Sequence, residues 1–186
     1  MKFIRTLVVV VLIAAAAGWI CRQWLFINLV TYKISGKRTD YLVYYISLEK
    51  KINQNAAFGN PAGIKEIIKL CHKITSDHLE FTTAPCSSDP KKLFYTQKAN
   101  CIGYAAFFTT CCNYLLSKSG LAGSWVAIHR VGKLYFFGLN LHQFFKSAFF
   151  RDHDFVTIEN RTTGEVIAVD PVLADYLQIP FIMSAK

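Results

Sequence analysis

The sequence predicts an α+β domain, N-terminal helices followed by an antiparallel sheet, with an apolar membrane helix ahead of it. Three observations predict this. Apolar residues recur at helical spacing between about Tyr41 and Ser117, the period shortens after Gly120, and the first thirty residues are almost wholly apolar. The chain has 186 residues, 53% of them hydrophobic and 18% charged, with 10 Gly and 5 Pro. Such a composition excludes a disordered chain or a low-complexity stalk, and the length suits one domain.

The formal net charge is +9, but residues 1–38 hold six basic side chains and no acid, leaving +3 for the rest. The basic excess belongs to the N-terminus. No nucleic-acid partner is expected, because that would require a basic face on the folded domain.

Lys2 and Arg5 precede the apolar stretch Leu7–Cys21, and a second apolar run follows from Trp24 to Val30. Read narrowly, this is a secretory signal with small residues at Ala14–Gly18 for cleavage. Read broadly, Leu7–Val30 forms about 36 Å of helix at ~1.5 Å per residue, enough to span ~30 Å of hydrocarbon. Arg22 would then snorkel, with Trp19 and Trp24 at headgroup level. We favour the uncleaved anchor, with residues 1–32 as a signal-anchor or transmembrane segment and residues 39–186 as the domain. Membrane lipid is the expected partner of this segment, and a membrane protein is a further candidate. Lys2 and Arg5 on one side barely differ from Arg22, Lys33, Lys37 and Arg38 on the other. A short N-terminus of this form favours the cytoplasm, which puts the domain on the periplasmic or extracellular side.

Within the domain, Tyr41–Ile52 reads as a helix carrying Leu42, Tyr45, Ile46 and Leu48, and Asn53–Gly59 as a break. Asn60-Pro61 supplies a cap and first position for a helix whose apolar stripe is Ile64, Ile67, Ile68, Cys71 and Ile74. Thr82–Lys92 reads as a loop, with Cys86 available to pair with Cys71. The strongest helix runs from about Asn100 to Ser117, where Ala105, Phe108, Cys112 and Leu115 recur and Gly120 marks the stop. Gly103 within it costs ~1 kcal/mol against alanine, which predicts a close approach there. Ser124–His129 and Lys133–Phe137 read as strands joined around Val131-Gly132. Leu141–Phe150 reads as a short helix or aromatic-rich loop. Phe155–Glu159 and Val166–Val169 read as strands across an Asn160–Glu165 turn completed by Gly164. Phe136, Phe137, Phe144, Phe145, Phe149 and Phe150 are expected mostly in the core, with some free to line an apolar groove or face a bilayer.

The chain has 6 Cys but no CxxC pair and no HExxH run, so neither a metal nor another cofactor is expected. Cys111 and Cys112 read as packing residues. Cys101, His153 and Asp170 stand in an order that supports nucleophilic catalysis. Cys101 opens the strongest helix, where unpaired N–H groups and the positive helix end favour a thiolate and can receive charge from an attacked carbonyl. His153 begins one strand of the predicted hairpin and Asp170 ends the other, so the turn brings them together. The aspartate would orient the imidazole while its other nitrogen takes the thiol proton. His129 is an alternative base without an acid at useful spacing. His142, His72 and His78 are weaker, the last two lying in the helical half. Gln97, just before the helix, is the preferred second oxyanion donor after the Cys101 N–H, ahead of Asn100 and Tyr95.

Three blocks add a resemblance. Cys101-Ile102-Gly103-Tyr104-Ala105, with Phe107-Phe108, Tyr114-Leu115-Leu116 and Gly120-Leu121, resembles the nucleophile helix of the transglutaminase-like cysteine-enzyme superfamily. His153-Asp154-Phe155-Val156 resembles its histidine strand, and Gly164-Glu165-Val166-Ile167-Ala168-Val169-Asp170-Pro171 the strand that brings in the third catalytic residue. The blocks fall in the expected order across roughly residues 65–175. The resemblance implies a papain-like α+β fold and acyl transfer from a peptide or protein amide through a thioester. Cys101 would attack, His153 relay protons and Asp170 orient His153. Release by water makes a cysteine protease or amidase, and release by an amine makes a cross-linker or acyltransferase. Some members of the superfamily are catalytically silent binding modules. Ala99 stands where a glycine is common, Asp154 where a small residue is common and Phe155 where tryptophan is frequent. These departures bear on the substrate more than on the triad.

Overall fold

Two short helical segments and a strand, rather than one long helix, make up the start of the chain. In the computed structural model, which describes residues 2–39, 41, 46–57, 61, 63–145 and 152–185, helix α1 covers Lys2–Ile20 and α2 covers Arg22–Leu29. Phe3–Ile20 is long and apolar enough to cross a membrane, and none of it is buried inside the protein. The backbone breaks at Cys21, and Val30–Lys37 forms strand β1. The β-branched and aromatic residues Val30, Thr31 and Tyr32 favour this switch, and burial of Tyr32 beside exposed Lys33 gives the strand its two faces. The expected boundaries therefore need correction. Residues 30–32 belong to the sheet, not to a spanning segment, and the folded domain begins well before residue 39.

The helical layer follows. It comprises α3 (Ile46–Ala57), α4 (Ile64–Ser76), α5 (Pro90–Thr96) and α6 (Cys101–Lys118), with α7 (Pro171–Leu177) near the end of the chain. Several expected boundaries move. Helix α3 continues through Asn53, where a break is expected, while Leu42, Tyr45, Asn60 and residues 58–59 lie outside the described residues. Helix α4 starts at Ile64 with Gly63 as its cap, beyond Pro61. The expected loop at Thr82–Lys92 ends in α5, because Asp89 caps the Lys91 N–H at 2.9 Å and Pro90 fits the first turn. Helix α6 matches its expected span, capped by Asn100.

The remaining strands are β2 (Glu80–Phe81), β3 (Lys98–Ala99), β4 (Trp125–Phe136), β5 (Leu139–Asn140), β6 (His153–Asn160), β7 (Val166–Val169) and β8 (Met183–Ala185). The main sheet has the order β7-β6-β4-β1-β8, with β5 hairpinned onto β4. Neighbours are antiparallel except β1 and β8, which run parallel. An antiparallel bridge between Ala168 and Ile182 draws the two edges together and leaves the sheet nearly closed. The order of helices first and sheet second thus holds in outline, but β1 comes before α3–α6 and sits inside the sheet, the short β2 and β3 fall among those helices, and α7 follows β7.

Alternation divides the core. Val156, Ile158 and Val169 face α4 and α6 in the main cluster, whereas Phe155 and Ala168 face a second cluster with Tyr32, Leu134, Leu173 and Ile182. Gly132 is not a turn. It lies within the continuous β4, where an added Cβ would meet Phe155 Cε1 at 2.7 Å and the Lys33 carbonyl oxygen at 3.0 Å. Gly103 shows the expected close approach, with a Cβ there 2.8 Å from Ala99 Cβ. The β6–β7 turn also forms as expected, with Gly164 at φ 75° and its N–H donating to the Asn160 carbonyl at 2.9 Å.

The phenylalanines depart from expectation. Phe136, Phe137, Phe144 and Phe145 are 40–68% exposed, the first two where the chain turns at Phe137 (φ 48°) and Gly138 between β4 and β5. Phe149 and Phe150 lie outside the described residues. All 6 cysteines are free thiols, and Cys71 is buried with Cys111 and Cys112 in the helical core instead of pairing with Cys86.

Candidate active site

Asp170 is held from several directions. It follows β7 directly and caps α7, with Oδ1 accepting the Val172 and Leu173 N–H groups at 3.0 and 3.2 Å. Oδ2 faces His153 Nε2 at 2.5 Å and accepts the Tyr32 hydroxyl at 2.9 Å. All three side chains are fully buried. Burial opposes ionisation of Asp170, but the charge and hydrogen bond of His153, with the Tyr32 and backbone donors, hold its carboxyl below the usual value. Burial likewise opposes the charged imidazole. The Asp170 charge and hydrogen bond, with a hydrogen bond to Cys101, override that and raise the His153 pKa to about 10.

Cys101 is the first residue of α6 and only partly buried. With His153 Nε2 committed to Asp170, Nδ1 is the ring nitrogen left for Cys101, which lies close enough to help raise the His153 pKa. The structure thus brings Cys101, His153 and Asp170 together. Asn100 is occupied as the α6 cap, its Oδ1 accepting from the Gly103 N–H at 3.2 Å and its own N–H donating to Cys86 Sγ at 3.2 Å. Gln97 is exposed, in the left-handed region at φ 58°, where it ends α5 and is separated from Cys101 by β3. Tyr95 is 67% exposed.

A second histidine–aspartate pair lies next door. His129 Nε2 is 2.8 Å from Asp154 Oδ1, and Arg38 grips the same carboxylate through Nε at 2.5 Å and Nη2 at 3.1 Å. His129 therefore does have an acid, contrary to the sequence reading. The acid is across the β4–β6 ladder rather than further along its own strand, diagonal to it because Val131 pairs with Asp154 and His129 with Val156. Successive residues 153 and 154 point to opposite sides of β6, so His153 meets Asp170 on one side and Asp154 meets His129 on the other. Lys37, Arg38, Tyr41, Ser88 and His129 line a polar cavity of about 270 Å³ beside this pair. The Asp154 hydrogen bond, opposed by burial, raises the Arg38 pKa, and the Asp154 charge adds to the rise.

Of the other histidines, His142 lies in the 3-10 turn Leu141–Gln143 after β5, and the remaining two have structural partners. His72 Nε2 lies 3.2 Å from the Pro180 carbonyl, and His78 stacks on Phe94 and Phe107. Among the described residues no three His, Cys, Asp or Glu side chains converge as a metal-binding group. Tyr32, Arg38 and Asp154 are the site residues that sequence reading missed. The alternation of Val30, Tyr32 and Ile34 with polar neighbours was the available signal for the first. No protein-family model and no curated protein matches this chain.

Proposed function

We propose that this chain is a membrane-anchored thiol enzyme that cleaves or transfers peptide or protein amides through a Cys101–His153–Asp170 triad, within a papain-like, transglutaminase-like fold. The observation that carries the reading is the line of contacts from Asp170 to His153 to a cysteine at a helix N-terminus. In the reaction, the Cys101 sulfur attacks the amide carbon and the carbonyl oxygen takes up charge beside the Cys101 N–H. The C–N bond breaks as His153 gives its proton to the leaving amine, and a thioester remains. Water or an amine then attacks the thioester carbon and loses its proton to His153, the C–S bond breaks, and the acyl product leaves with Cys101 and His153 returned to their starting forms. Asp170 and Tyr32 keep the imidazole oriented throughout. Helix α1 would anchor the enzyme, with the domain on the periplasmic or extracellular side.

The test uses the full chain in mild detergent, treated across pH with a thiol-reactive peptide-like electrophile and mapped by mass spectrometry. Selective modification of Cys101 at pH 6–7, lost in His153→Ala, is the expected result. Labelling of Cys101 no faster than that of the accessible Cys21 and Cys86 would overturn it. A second reading, a catalytically silent module that scaffolds a membrane assembly, is favoured by the complete burial of His153 and Asp170. That reading predicts the second labelling outcome.

A further inference from the structure

The face of the domain nearest α1 carries an apolar groove that the triad does not use. Its walls are Ile68 and His72 of α4 on one side and Ala174, Pro180 and Phe181 on the other, enclosing about 450 Å³. That volume falls within the range of ligand pockets. Burial lowers the His72 pKa to about 4 against the opposing effect of its Pro180 hydrogen bond, so the wall is uncharged at neutral pH. Lys65 and Lys69, both exposed, also line the groove from one face of α4, one turn apart.

The position of the groove identifies its occupant. Arg22, two residues past the end of α1, donates through Nε to the Leu177 carbonyl at 2.8 Å and through Nη2 to Gln178 Oε1 at 2.6 Å. Gln23 Nε2 donates to the Phe181 carbonyl at 2.8 Å. Gln178 and Phe181 themselves line the groove, so the chain that leaves α1 is fastened directly to its wall. We propose that this groove binds an anionic phospholipid from the bilayer, with an acyl chain along the apolar walls and the phosphate between Lys65 and Lys69. The inference rests on α1 being a membrane anchor. Charge complementarity favours an anionic headgroup, and the bilayer is the one acyl-chain source adjacent to the site.

The full chain, reconstituted in nanodiscs of mixed phosphatidylglycerol and phosphatidylcholine, is extracted into mild detergent and its retained lipid read by native mass spectrometry. Alkaline carbonate extraction from membranes is run in parallel. Wild type should resist carbonate and retain phosphatidylglycerol in preference to phosphatidylcholine. The Lys65→Glu/Lys69→Glu variant should lose about tenfold or more of that retention, and Ala174→Trp, which fills the groove, should abolish it, both staying carbonate-resistant. Equal retention in all three carbonate-resistant proteins, or retention without headgroup preference, overturns the groove assignment alone. A co-purified peptide displaced by Ala174→Trp also overturns it. Release of wild type by carbonate overturns the anchor and the groove assignment together.

Discussion

Tyr32 and Asp170 lie 138 residues apart and meet at 2.9 Å, hydroxyl to Oδ2, with both side chains fully buried. The tyrosine belongs to the strand that follows the apolar helices directly, and the aspartate is the cap of α7, one residue past β7. Their bond makes the N-terminal segment a structural part of the candidate active site, and it leaves Asp170 oriented toward His153 by a group outside the expected triad.

Removing that donor tests its role. Tyr32→Phe keeps the ring but takes one hydrogen bond from a buried carboxylate, a loss of about 1.5–3 kcal/mol. Because the hydroxyl helps to hold the Asp170 pKa down, the acid-unfolding midpoint should also move to higher pH. Urea titrations across pH measure both. An unmoved acid midpoint would show that the hydroxyl does not act through Asp170.

The His153–Asp170 pair sets a pH window. The His153 pKa is raised from 6.5 to about 10, so its contribution to stability is complete below 6.5 and declines as pH climbs through 10. The Asp170 pKa is lowered from 3.8, so its contribution is complete above 3.8 and is lost as pH falls further. Stability from the pair should therefore be greatest between these limits. Denaturant midpoints at pH 6 and pH 9 should differ more in wild type than in His153→Gln, and equal differences would contradict the assignment.

Asp154→Asn should destabilise the domain on the order of 3 kcal/mol, because the substitution strips the buried partner shared by Arg38 and His129. A chemical denaturation curve measures this directly, and a change under 0.5 kcal/mol would place the pair among surface ion pairs in energetic terms.

Gly132→Ala places a methyl group 2.7 Å from the Phe155 ring and 3.0 Å from the Lys33 carbonyl oxygen. Strand interiors ordinarily gain from losing a glycine. Here overpacking should win, costing about 1–3 kcal/mol by denaturant titration.

Residues 39–186 alone lack β1, which lies between β4 and β8. That fragment should lose the cooperative unfolding of the full chain, as read by near-ultraviolet circular dichroism and urea titration. A cooperative transition in the fragment would show that β1 is dispensable.

Much of the helical layer and the β6–β7 hairpin was legible, because Asn100 and Gly120 bracket α6 and Gly164 marks the turn. His153 and Asp170 were legible for the same reason, since a hairpin brings its two ends together. What stayed hidden depended on partners distant in sequence. Tyr32 and the strand around it sit directly after an apolar run whose hydropathy masks the change of period. The His129–Asp154 contact arises from ladder register, which neither strand encodes alone. Gly132 reads as a turn residue because a gap left for Phe155 and a gap left for chain reversal look identical in sequence. Helices α5 and α7 are short, and their only signals are Asp89-Pro90 and Asp170-Pro171 at their starts.

Arg22 spans the junction between α1 and the domain, bonding the Trp19 carbonyl at 2.7 Å on one side and Leu177 and Gln178 on the other. The domain is therefore not tethered by a slack leash. With α1 in a bilayer, the sulfur of Cys101 would work at one set height above the surface, and the anchor would act as a ruler. Substrates would be selected by where along their length the reactive amide stands, before any side chain is read.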